Sequence, residues 1–298
     1  MPPAAVALVI VAAFTHASWN LLAKRAAHCR HFNWFYSSGA ALLFLPFAVW
    51  VLRDAGPRLG WAEALVLGAS SVLHALYSES LQRGYRAADL SVVYPLARGT
   101  GPLVSFFGAI VLLGERPSLL AAAGALLVVS GVFLIAGGTR VVAQMFGRGA
   151  NAGADRSHAR AGIFWGVSTG LFIAAYTLTD GYAVKLLVIS PILVDYVGNL
   201  FRALVLAPRA WRDRASVGAE YRRYWKEALG VSILGPAGYI LVLFAKTIAP
   251  VSHVAPAREL SMMIGAWFGA RLLGEGHGAE RIFAAALIVA GVAALALG

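Results

Sequence analysis

Uncharged stretches long enough to cross a bilayer alternate with short polar connections along almost the whole chain. Pro2–Ala23, Asn33–Leu52 and Ala64–Ser78 open the series, the third running on through Glu79 to Gln82. Leu90–Gly114 is interrupted by Arg98 alone, and Pro117–Thr139 carries no charge. After residues 138–160, rich in Gly and Arg, come Ala161–Thr179, Val188–Pro208 with Asp195 and Arg202, Ala228–Ala245, Pro250–Leu273 with Arg258 and Glu259, and Ile282–Gly298. A membrane helix needs about 20 apolar residues, so the pattern predicts ten spans. Backbone groups in hydrocarbon must be satisfied internally, and uninterrupted runs of this length do that as helices rather than as alternating barrel strands. The first run has no Lys or Arg before it and is too long for a signal-peptide core, so it is expected to stay in the mature chain.

Composition strengthens this reading. Of 298 residues, 59% are hydrophobic and 13% charged, against about 25% charged in soluble domains, which argues against an ordinary soluble enzyme. Cys29 stands alone, so no intrachain disulfide exists. A net charge of +11 would suggest nucleic acid in a soluble chain. In a membrane chain it marks cytoplasmic loops instead, and no nucleic-acid partner is expected.

The chain also repeats itself. A shift of 160 residues aligns the halves without a gap from about Asn33 to Gly138: Ala97-Arg98 falls on Ala257-Arg258, Leu112-Leu113-Gly114-Glu115 on Leu272-Leu273-Gly274-Glu275, and Gly131-Val132 on Gly291-Val292. A shift of 157 places Ala17-Ser18-Trp19 on Ala174-Ala175-Tyr176. Generic similarity of Leu/Ala/Gly-rich helices explains apolar matches but not paired Arg and Glu in one register. The predicted units are residues 1–138, a flexible linker at 139–160, and residues 161–298.

Five spans per unit is an odd number, so the second unit enters the membrane from the opposite side. The expected fold is all-α and integral to the membrane, ten transmembrane helices as two inverted five-helix repeats. Connections 1–2, 3–4, 5–6, 7–8 and 9–10 hold about 16 of the Lys and Arg residues, the other four about 5. This bias puts the linker and the basic, aromatic Arg209–Lys226 stretch in the cytoplasm, with both termini outside. Inverted halves can exchange conformations around a shared site, which suggests a transporter.

On the small, Gly/Ala-rich spans, the Gly114-Glu115 and Gly274-Glu275 pairs and the Gly-Val-containing fifth and tenth spans, the whole chain resembles the drug/metabolite transporter superfamily. More narrowly, it is similar to the ten-helix members built from two EamA-type units. The resemblance implies a central cavity lined by spans 1, 3, 4, 6, 8 and 9, cytoplasmic termini, and cargo ranging from amino acids to phosphorylated sugars, nucleotide sugars and drugs.

Arg98 and Arg258 hold the same place near the middle of the fourth and ninth spans. An arginine there costs at least about 2.5–3.5 kcal/mol on insertion scales and therefore faces a cavity or a partner. Ser91, Tyr94, Arg98, Gly101 and Ser105 form one helical stripe, which Ser261 continues in the matching span. Guanidinium forks suit carboxylate or phosphate oxygens, so an anion-binding pair is expected. The alternative is an internal ion pair, with Glu79 for Arg98 and Glu259 or Asp195 for Arg258. Pro95, Gly99, Gly101 and Pro102 surround Arg98, while Pro250 and Pro256 precede Arg258, so both spans are predicted to kink or break beside the arginine. His16 and Asn20, one turn apart, place a polar stripe on the first span, and Trp19 and Tyr176 are candidate aromatic walls. Glu79 and Glu259 are the favoured ion-coupling carboxylates. Asp180 reads as a span-end residue, and Asp195 as a partner of Arg202 on one helical face. Glu115 and Glu275 read as structural groups at the positive N-terminus of the helix that follows each. His28-Cys29-Arg30-His31 looks faintly metal-like, yet offers only three ligands, and no metal or cofactor is expected. No Walker A loop or HExxH pair occurs.

The leading expectation is a secondary transporter of a small, anionic metabolite bearing phosphate, phosphonate or carboxylate. Its partners are the small-molecule substrate, the bilayer, and protons or a counter-substrate. It is expected in the bacterial inner membrane as a monomer or homodimer. The alternative is an exporter of amino acids or amphipathic drugs. An intramembrane enzyme lacks convergent acid/base or metal groups, and a non-transporting scaffold would give no flux.

Overall fold

A computed structural model of the chain describes residues 1–26, 28–54, 60–88, 90–136, 152–273 and 279–298, with side chains except at 90–91, 152–159, 269–273 and 279–281. These residues form eleven helical segments and, among them, no strand. The first five are α1 (Pro3–Arg25), α2 (Phe32–Asp54), α3 (Trp61–Ala87), α4 (Leu90–Leu113) and α5 (Leu119–Ile135). The second unit holds α6 (Ala152–Lys185), α7 (Pro191–Arg212), α8 (Arg214–Ile248), α9 (Val251–Ala257), α10 (Leu260–Leu273) and α11 (Ala279–Leu297). Segments α9 and α10 are the two halves of the ninth span, so there are ten spans.

Composition explains most of these helices directly. Six stretches are long and apolar enough to cross a membrane: α1, α2, α7, α8, Val92–Leu113 of α4 and Arg160–Lys185 of α6. The apolar α5 and Ile282–Leu297 of α11 are shorter. Helix α3 is long enough but carries Ser70, Ser71, His74, Ser78 and Ser80, which lower its hydropathy. Large apolar side chains such as Leu42, Trp50, Val111 and Leu119 remain exposed. In a bilayer these are lipid-facing and cost nothing.

The packing repeats about a pseudo-twofold axis. Helix α4 packs on α6 as α9 and α10 pack on α1; α3 packs on α6 as α8 packs on α1; α2 meets α7, and α5 meets α11. The α5/α11 crossing is built from glycine. A Cβ added at Gly131 would stand 2.6 Å from the Ala284 carbonyl, and one at Gly291 the same distance from the Gly124 carbonyl. These two contacts exchange under the 160-residue shift, so the axis runs through this backbone contact. Gly162, Gly166 and Gly170 likewise bring α6 against Val92, Leu96 and Ala97 of α4. Small residues permit such approach, which lets dispersion hold helices together where lipid removes the hydrophobic driving force.

Three expectations are corrected. Residues 152–160 are not linker but the first turns of α6, and residues 137–151 lie outside the described set. Helix α6 continues to Lys185, so Asp180 is inside it. Lys246, counted with the connection between spans 8 and 9, lies within α8 and is completely buried.

Candidate functional site

A cavity of about 750 Å³ lies between the two units and is lined from α1–α8 and α10, and by Arg258 at the α9–α10 break. The ninth span breaks at Arg258-Glu259, where Pro256 removes one backbone donor and the Glu259 N–H bonds the Pro256 carbonyl at 2.9 Å. Of the kink or break expected beside Arg98, a break does not occur. Helix α4 accommodates both Pro95 and Pro102 without interruption.

The break places Glu259 between the two arginines. Its Oε2 lies 2.7 Å from Arg98 Nη2 and its Oε1 3.7 Å from Arg258 Nη2. Neither contact has hydrogen-bond alignment, so these are ion pairs without directional bonds. Glu259 is wholly buried, with Arg98 and Arg258 nearly so. Arg98 Nε, Arg258 Nε and Ser261 Oγ have no hydrogen-bond partner. Unpaired buried donors are costly, and three of them belong to residues that line the cavity.

Seven of the predicted residues line this cavity: Arg98, Arg258, Tyr94, His16, Trp19, Asn20 and Tyr176. The His16 and Trp19 rings meet edge-on at 4.9 Å, Asn20 donates to the His16 carbonyl, Tyr94 donates to Met262 Sδ at 3.1 Å, and Arg258 stands 6.0 Å over Tyr176. The Ser91 side chain lies outside the described residues. Glu259 belongs to the arginine cluster, and Arg98 rather than Arg258 is its nearer partner. Glu79 is corrected: it does not line the cavity. On α3 the wall is made by His74, Tyr77, Ser78, Leu81 and Tyr85, whereas Glu79 points elsewhere, half-exposed, and pairs with Arg83 at 2.8 Å and Arg86 at 3.6 Å.

Sequence reasoning missed several wall residues. Arg202 donates to the Tyr36 hydroxyl at 3.1 Å and Asp195 accepts from Asn199 at 3.0 Å, so Arg202 acts on Asp195 through its charge rather than through a direct salt bridge. The one-turn spacing of Asp195 and Asn199 was the available signal. Deeper in the wall is a second polar cluster. Asp180 of α6, fully buried, accepts from Ser70 and Tyr239 and lies 3.2 Å from His74 Nε2. Lys246 donates to the Thr177 carbonyl at 3.1 Å, one turn before Asp180. His74 and Tyr239 line the cavity; Asp180 and Lys246 lie behind them.

The two ends of the bundle differ. Wall residues near one end include Tyr36, Tyr85, Ala136, Arg202 and Ala266, so the cavity runs from the middle toward the end holding the α1–α2 and α7–α8 connections. There, His31 lies between Glu220 at 3.0 Å and Asp213 at 3.3 Å, and Cys29 donates to Glu220. Burial and the Glu220 bond push the Cys29 thiol up to about 12, which makes it a poor metal ligand because ligation needs thiolate. This connection is a tether between α1–α2 and α8.

At the opposite end Gly114 adopts a φ of 66°, a conformation glycine enters without strain, and the chain turns to present Glu115. Its carboxylate accepts from the Val251 and Ser252 N–H groups at 2.7 and 2.8 Å and from Lys185 at 3.0 Å. Glu115 therefore does sit at a helix N-terminus, but that of α9 in the other unit, not of the helix that follows it. Burial raises its carboxyl, and the Ser252, Val251 and Lys185 donors outweigh that to hold it below the ordinary range. Glu275 lies outside the described residues.

Ten membrane-crossing helices in two inverted units around a polar central cavity define a membrane transporter of small molecules. The family model for EamA, the EamA-like transporter family, matches residues 3–137 and 160–297, and the chain belongs to that family. A crystal structure titled only as that of a protein superposes with a TM-score of 0.74 at 18% identity, covering 98% of each chain; it is similar in fold. A comparison with curated proteins finds no match.

Proposed function

We propose that the chain is a secondary active transporter that moves a small anionic metabolite, bearing phosphate, phosphonate or carboxylate, by alternating access. One observation carries the reading: two nearly buried guanidiniums of cavity-lining residues share a single carboxylate. Of the charged groups around the cavity, Arg98, Arg202, Arg258 and Lys246 outnumber Asp180, Asp195 and Glu259 by one. An arriving oxyanion supplies the missing negative charge, and guanidiniums suit it as charge-assisted donors. The aromatic rings of Trp19, Tyr77, Tyr94 and Tyr176 suit the organic remainder, and the volume lies within the usual range of about 300–1,000 Å³ for small-ligand sites.

Cargo competes with Glu259 for the arginines, which ties occupancy to the α9–α10 break and so to the packing of one unit on the other. The mouth lies at the end that carries the more basic connections, which on the positive-inside rule faces the cytoplasm of a bacterial inner membrane. Glu115 closes the far end.

The test uses the full chain in liposomes with labelled methylphosphonate, inorganic phosphate and a carboxylate panel. Arg98→Gln and Arg258→Gln are expected to lower anion uptake at least tenfold while helicity by circular dichroism is unchanged. Undiminished anion uptake by both folded variants would sink the proposal. Retained export of amino acids or amphipathic drugs by them would favour the second reading, for which the aromatic wall supplies an adaptable pocket.

A further inference from the structure

We infer that Asp180 and His74 form a proton-binding pair in the cavity wall and that it couples a proton to cargo movement. The inference rests on the transport reading above. Neither carboxylate favoured from the sequence suits this task. Glu79 lies off the cavity and is held by two arginines, and Glu259 is committed to the anion site.

Asp180 is enclosed by three helices. Ser70 and His74 of α3 and Tyr239 of α8 converge on its two oxygens, and it has no exposed surface of its own. Water in the cavity reaches it only by way of wall residues, and of those that touch it His74 carries the imidazole that can take a further proton. Because a carboxylate only accepts, the His74 Nε2 facing it carries the hydrogen. The incoming proton is then taken by the other ring nitrogen, Nδ1, and the resulting imidazolium stands opposite the carboxylate. When the cavity faces the other side, Nδ1 returns the proton to water. One N–H bond forms and the same bond breaks per cycle, with no other change. Because the two groups interact at 3.2 Å, the pair titrates as a unit.

Contact with the anion site is short. The His74 ring stacks on Tyr176 at 4.0 Å, and Arg258 stands 6.0 Å from the centroid of the same Tyr176 ring. The charges acting on the pair come from Lys246 of α8 and from Arg202 and Asp195 of α7, and Arg258 acts in turn on Lys246. Two of these three are cations, so they oppose a further positive charge on His74 while the cavity is empty. An anion bound at Arg98 and Arg258 offsets that opposition. Cargo and proton therefore favour each other's binding, and by linkage the enhancement is reciprocal.

Two measurements on the full chain test this. In liposomes, one proton per cargo lets a pH difference of about one unit drive roughly tenfold accumulation of labelled methylphosphonate, since each tenfold ratio matches about 1.4 kcal/mol. Asp180→Asn and His74→Gln are expected to abolish this accumulation yet keep counterflow exchange, which needs no net proton movement. Full accumulation in Asp180→Asn overturns the inference, as does loss of counterflow in a folded variant. The second measurement needs no cargo: ring ¹⁵N resonances of the detergent-solubilised chain, with His74→Gln assigning the signal. His74 is expected to titrate, and Asp180→Asn to move its midpoint at least one pH unit lower. An unmoved midpoint overturns the inference. If the wild type moves none of methylphosphonate, inorganic phosphate and the carboxylates, the anion reading fails and the histidine titration alone decides this one.

Discussion

Arg98 and Arg258 were legible in the sequence because a charge repeated at a fixed register inside two apolar spans has few packing explanations. Their shared partner was not: Glu79 was expected for Arg98 and Glu259 or Asp195 for Arg258, although the residue that follows each arginine differs, Gly99 in the fourth span and Glu259 in the ninth. One carboxylate for two symmetry-related cations is an asymmetry written into a single position. Replacing it tests the balance. Glu259→Gln leaves two guanidiniums facing each other in a buried site, and loss of one member of such a cluster costs about 3–5 kcal/mol. The variant is expected to melt earlier in detergent and to recover more with added inorganic phosphate than the wild type does, because an anion binding only the folded state restores stability. Equal melting and equal response to phosphate would contradict the shared-carboxylate arrangement. Asp180 and Lys246 were not legible, because hydropathy alone ended their spans just before them. A run of apolar residues stops at the first charge whether or not the helix does, and here both helices continue past it.

Among the elements, the ninth span is broken as its prolines allowed, while the fourth, where the same argument allowed a kink or a break, runs on unbroken. Proline weakens both spans; the break occurs where Glu259 must also be seated between two guanidiniums and where α9 receives an external cap. That cap, Glu115, joins an element of one unit to an element of the other through three donors. Its carboxyl lies below the ordinary range in the folded chain, so its contribution is present above the unfolded value of about 4.3. The contribution is lost as pH falls through the lower folded value. Wild type is expected to exceed Glu115→Gln in stability by about 1.5–3 kcal/mol at neutral pH, with the gap closing only in acid. A gap that stays constant from neutral to acid pH would show that the carboxylate's charge plays no part. The sequence placed Glu115 beside a helix N-terminus but chose the neighbouring helix, since chain order says nothing about which unit lies across the turn.

For the molecule as a whole, the 160-residue register foretold the architecture closely: 1 pairs with 6, 2 with 7, 3 with 8, 4 with 9 and 5 with 10, and every principal packing contact has its mirror. Register fixes which helices are equivalent but not which wall faces the hollow, so His74, Tyr239 and Arg202 emerged only with the tertiary packing. The glycine seam between α5 and α11 carries a mechanical implication. Two rods whose backbones touch have no slack to part, so they act as the spine of a book while the covers swing. Spin labels at the lipid-facing Leu119 and Leu297, which are 91% and 82% exposed, are expected to keep one separation with and without cargo. Labels at Arg86 and Trp211, on helices bordering the mouth, are expected to report two populations. If it is the spine that stretches and the covers that stay still, the hinge lies elsewhere.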